Sequence, residues 1–172
     1  MDPYRPDSWH DFYLATAGAA AALTGLLFVA LSLHIRYIAN EPMYRRMARG
    51  SLIGLMQTLV LSLAVLVRQP ESWLGVELIL VSLGYILFIG GNQLLEIRGM
   101  SWRIPRATLI RSSIGYLLAA AGLVGGFDVI YQTGPGLYVI ALIAVLIIIW
   151  NLRNAWILLM NVADEEIAIA AH

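Results

Sequence analysis

The 172-residue chain is 60% hydrophobic, only 13% charged and formally neutral, and its 11 basic residues are all arginine. A soluble domain carries about 25% charged residues, so this composition excludes a water-soluble globule, and neutrality argues against a nucleic-acid binder, which needs a basic field. The absence of cysteine excludes disulfides, thiolate metal sites and cysteine nucleophiles.

The chain opens on a short polar stretch containing Pro3 and Pro6. Asp2, Asp7 and Asp11 outnumber Arg5 there, which is not the basic start of a cleaved signal peptide, and none is expected. Ser8 and Asp11 have the Ser-x-x-Asp spacing of a capping box, so a helix is expected to start near Trp9. Trp9, Phe12 and Tyr13 read as an interfacial aromatic belt. The apolar run that follows, about 12–35, exceeds the roughly 20 residues needed to cross a hydrocarbon core. Its first half is unusually thin. From Ala15 to Gly25 only Leu23 is bulky, whereas Leu26, Leu27, Phe28, Val29, Leu31 and Leu33 fill the second half.

Asn40-Glu41-Pro42 breaks the chain, and Pro42 suits the first position of a second helix. Arg45, Arg46 and Arg49 precede its apolar part, 51–67. Arg68 to Ser72 reads as a tight turn, and a third span covers 73–95. The next linker holds Arg98, Arg103 and Arg106, with Gly99 as a stop and Pro105 as a restart. A fourth span covers 108–130, Gln132 to Gly136 is a turn, and the fifth span, 137–160, is continuously apolar and β-branched. Its length rules out a membrane strand, which needs only about 9–11 residues. Asp164, Glu165 and Glu166 make the tail acidic.

The fold class expected is therefore all-α, a polytopic transmembrane bundle of five spans in one domain, 1–172. Arginines gather after spans one and three, which by the positive-inside rule places those linkers in the cytoplasm, the N-terminus outside and the C-terminus inside. The segment Trp9-His-Asp-Phe-Tyr, the Ala-rich stretch after it and Leu23-Thr-Gly-Leu-Leu-Phe-Val-Ala30 resemble the start of a group of small bacterial membrane proteins without an assigned activity. That resemblance, over about the first 35 residues, implies a multi-pass protein of the bacterial inner membrane and no particular chemistry.

Helices in lipid associate through close contact at small residues. Ala17, Gly18, Ala21, Ala22 and Gly25 give span one such faces, as a pore lining or a packing surface. Gly54, Thr58 and Ser62 do the same for span two, and Gly115, Ala119, Gly122 and Gly126 for span four. Polar residues at depth sort into two groups. Arg68, Glu77 and Asp128 form an outer mouth. His34, Asn92, Glu96, Asn151, Arg153 and Asn154 form an inner polar cluster. Mid-membrane carboxylates, which ion-coupled transporters use, are missing from the spans. Arg45, Arg46 and Arg49 are suited to anionic lipid headgroups.

No zincin, nucleophile-elbow, phosphate-loop or dinucleotide motif occurs, and the three histidines are dispersed. No enzyme, cofactor or metal site is expected. The reading that follows is a homo-oligomeric passive channel for ions or small solutes. The alternative is a non-transporting partner of another membrane protein, with a lipid-binding protein third.

Overall fold

A run of apolar residues in lipid has no water to satisfy its N–H and C=O groups, so it closes its own hydrogen bonds as helix. The computed structural model describes residues 5–99 and 106–170, and side chains over 5–91 and 113–162. The elements are a 3-10 turn at Pro6–Trp9 and six helices: α1 (His10–Leu33), α2 (Ile35–Asn40), α3 (Pro42–Leu66), α4 (Glu71–Gly99), α5 (Arg106–Tyr131) and α6 (Gly136–Ala170). No strand occurs among the described residues. Five helices are long and apolar enough to cross a membrane, over Pro6–Leu33, Pro42–Leu66, Glu71–Gly91, Ser113–Tyr131 and Gly136–Val162. The protein is therefore a multi-pass helical membrane protein.

The helices run past the expected spans where polar residues continue them. α3 starts at Pro42, and α6 extends to Ala170, through the acidic segment. The expected capping box does not form. The 3-10 turn feeds directly into α1, and the Asp11 carboxylate instead accepts from His10 Nδ1 at 3.2 Å. α1 ends at Leu33, where His34 turns the chain and its carbonyl accepts from the amides of Tyr37 and Ile38, both at 3.1 Å. α4 and α6 start on proline carbonyls: Pro70 O receives Trp73 N and Leu74 N, and Pro135 O receives Tyr138 N and Val139 N. α5 stops because Gln132 adopts φ 54°, the left-handed conformation that terminates helices.

The chain divides into two compact units. One comprises Met1–Tyr13 and Leu63–Ile143, the other Leu14–Ser62 and Ala144–His172.

In the first unit α4 and α5 form a seam built on glycine. A Cβ on Gly75 would meet Gly126 O at 2.7 Å, one on Gly126 would meet Ile79 Cγ1 at 2.7 Å, and one on Gly115 would meet Ile89 Cδ1 at 2.7 Å. Gly122 lies directly against Ser82 Oγ. The residue numbers fall on one helix as they rise on the other, so the two helices run antiparallel along a close-contact face. Gly125 and Val129 face the start of α6, meeting Ile140 and Gly136 respectively.

The same unit corrects the reading of the N-terminal aromatics. Trp9 and Tyr13 are 4% and 0% exposed, so they are core, not belt. Trp9 stands edge-on to Tyr138 at 4.5 Å and packs on Phe12 at 5.9 Å. The Tyr13 hydroxyl donates to Leu137 O at 3.0 Å, which satisfies the polar tip of a buried ring. The two most exposed aromatics described in this unit are Trp73 and Tyr131, 64% and 68% exposed, at the start of α4 and the end of α5. They occupy the positions that a membrane-interface belt requires.

The second unit is centred on Leu27 and Leu31 of α1, Ile38 of α2, Tyr44, Met47, Ala48 and Leu55 of α3, and Ala155, Leu158 and Val162 of α6. Two threonine hydroxyls bond back to their own helix, Thr24 to Ala20 O at 2.7 Å and Thr58 to Gly54 O at 3.2 Å, whereas the buried Ser51 and Ser62 hydroxyls find no partner among the described residues. Such back-bonding lets a polar residue sit in hydrocarbon without an orphan donor.

Candidate functional site

α1 has two faces that differ in what they touch. Tyr13, Thr16, Ala17, Ala20, Leu27 and Leu31 are buried, a stripe at helical spacing. On the other side Ala15, Gly18, Ala19, Ala21, Ala22 and Gly25 are all exposed. For three turns that face carries nothing larger than a methyl group. A Cβ added at Gly18 or Gly25 would meet nothing within 4 Å. Of the five residues singled out in span one, only Ala17 thus belongs to the interior. Across its most apolar 18 residues α1 is 28% buried, against 44% in α3 and in α6. The thick half of the exposed face carries Leu26, Phe28, Val29 and Leu33, between 57% and 75% exposed, an ordinary lipid-facing surface.

The outer-mouth charges are not paired with one another among the described residues. Glu77 accepts from Gln69 Nε2 at 2.7 Å, and the same amide reaches Ala64 O at 3.2 Å. Gln69 thus holds the turn between α3 and α4, while Arg68 is exposed. Gln132 Nε2 donates to Glu71 at 3.0 Å, tying the end of α5 to the start of α4. The Asp128 carboxylate lies over Gly134, where any side chain would collide with it. Sequence reasoning passed over Gln69 and placed Gln132 beside Arg68, Glu77 and Asp128 without a partner, because a neutral amide in a turn carries no signal of what it binds.

Of the residues expected as an inner polar cluster, His34, Asn151 and Arg153 are each held locally. His34 Nδ1 donates to Ala30 O at 3.0 Å, which closes the end of α1. Asn151 is 3% exposed and donates from Nδ2 to Ile147 O at 2.8 Å. Its carboxamide rests on Gly54, where any Cβ would collide with it, so α3 and α6 meet at a glycine that makes room for an amide. Arg153 is exposed and stacks on Trp150, 5.6 Å from the ring centroid. Asn154 is half-buried. The side chains of Asn92 and Glu96 lie outside the described residues. Arg45 and Arg49 are exposed, whereas Arg46 is half-buried and makes contacts of its own.

A groove of about 250 Å³ opens between α1 and α6, with Leu27, Leu55, Asn151 and Ala155 among its lining and Leu26, Leu152 and Trp156 at its exposed rim. Its hydrogen-bonding side chains are the Asn151 carboxamide and the indole N–H of Trp156. No group of three or more His, Asp or Glu that could hold a metal occurs among the described residues.

Comparison with known proteins returned no matching family model, no similar curated protein and no similar solved structure. The likeness of the first 35 residues to small bacterial membrane proteins therefore rests on those residues themselves.

Proposed function

We propose that the protein is a passive channel of the bacterial inner membrane, assembled from several copies through the thin face of α1, with the N-terminus outside and the C-terminus inside. The observation that carries this reading is the exposure of Ala15, Gly18, Ala19, Ala21, Ala22 and Gly25. Helices that meet on such a face approach closely and gain dispersion contacts that lipid tails give less well. The face is also self-complementary, since a flat strip fits a second flat strip, as the interface of a symmetric oligomer requires. Spans without charge at mid-depth suit passive conduction through a narrow apolar constriction, which gates by dewetting. The arginine-rich linkers supply the orientation.

The native chain has no cysteine, so single cysteines report cleanly. Ala22→Cys is expected to form a disulfide between copies in native membranes, and Leu80→Cys, on the exposed side of α4, is not. Wild-type protein in liposomes is expected to pass small ions or solutes, and Gly25→Leu to abolish both assembly and flux. A single-copy mass in nanodiscs together with tight liposomes would overturn the proposal. Assembly without flux would leave the α1 contact and remove the channel.

A further inference from the structure

We infer that Arg45 and Arg49 form a binding site for the headgroup of an anionic phospholipid, at the foot of the lipid-facing side of α3. The two arginines are one helical turn apart and both exposed, so their guanidinium groups lie on one face. The same face continues upward through Met56 and Val60, 53% and 47% exposed. A lipid whose chains lie along Met56 and Val60 carries its phosphate towards the level of Arg49, about 10 Å lower at 1.5 Å per residue. Two like charges at this spacing repel. Neither takes part in an ion pair among the described residues, although Glu41 lies one turn before Arg45. Charge complementarity therefore points to an anionic partner delivered by the membrane itself. A guanidinium pair suits a phosphodiester, because each fork donates two parallel N–H groups to anionic oxygens. Arg46 points away from this face, being half-buried with contacts of its own. The site is thus a pair, not the triplet that the sequence displays.

The test is native mass spectrometry of the purified protein titrated with phosphatidylglycerol or phosphatidylcholine of identical acyl chains. Wild type is expected to prefer the anionic lipid, by about fivefold per arginine and about thirtyfold for the pair. Arg45→Gln/Arg49→Gln should remove that preference, whereas Arg68→Gln, another exposed arginine of the chain, should retain it. Raising the salt concentration should erode the preference of the wild type itself, an arm that requires no variant to fold. Excess inorganic phosphate should not displace the lipid, because the chains along α3 hold it in place. Equal retention of the two lipids by wild type, or an unchanged preference in the double variant, would overturn the inference.

Discussion

α1 and α5 are both rich in small residues, and the fold uses them in opposite ways. In α5, Gly115, Ala119, Gly122, Gly125 and Gly126 are all buried, and a Cβ at any of the glycines would meet a neighbour at 2.8 Å or less. In α1, Gly18 and Gly25 have open space around them. The difference teaches that a small-x-x-x-small pattern specifies close approach but not to what. One helix spends its pattern inside the chain. The other holds its pattern outward, where a bare helix face meets lipid that packs on it poorly.

The contrast can be broken most directly at Gly126. Gly126→Leu should destabilise the folded chain by about 3 kcal/mol or more, because Ile79 and the backbone of Gly75 must move apart. Unfolding in detergent titrated with denaturant, followed by circular dichroism, measures the loss. Gly54→Ala tests the intermediate case, a glycine packed against a polar side chain. It should cost about 1 kcal/mol in the same assay, and Asn151→Ala made in the same chain should recover most of it, a coupling expected of residues in contact. Gly18→Leu should have the smallest effect on the isolated chain, leaving its stability unchanged or raising it by less than about 1 kcal/mol. A cost as large as that of Gly126→Leu would show that the outward face is already packed within one copy, and would end the distinction between the two helices.

The five spans were legible because length and apolarity alone decide what crosses a bilayer. Which side of each helix faces inward was not. α1 is apolar on every side, so hydrophobic periodicity, the usual guide to an inner face, has almost nothing to register. Burial of Ala17 and exposure of Gly18 cannot be told apart from composition. The aromatic residues misled for a related reason. Trp9 and Tyr13 stand at the end of an apolar run, the usual address of an interfacial belt. Their burial depends on Tyr138 and Leu137, more than 120 positions away. Local pattern carries no trace of such a partner. What holds the charged residues near the span ends was not legible either. Glu77 looks like the partner of Arg68 in the sequence, yet a neutral glutamine one residue further on reaches it first.

α6 has 35 residues, which is about 52 Å of helix. The hydrocarbon core is about 30 Å thick, and even a tilt of 40°, the upper end of what spanning helices adopt, leaves about 40 Å along the membrane normal. One end must stand clear of the lipid. The Gly136 end is joined to α5 by a turn of only four residues, 132–135, which ties it to the surface where α5 ends. The other end is the one that bears Asp164, Glu165 and Glu166. The carbonyl and amide groups of those last turns stay bonded within the helix, so the polar segment leaves the apolar span as continuous helix and not as loop.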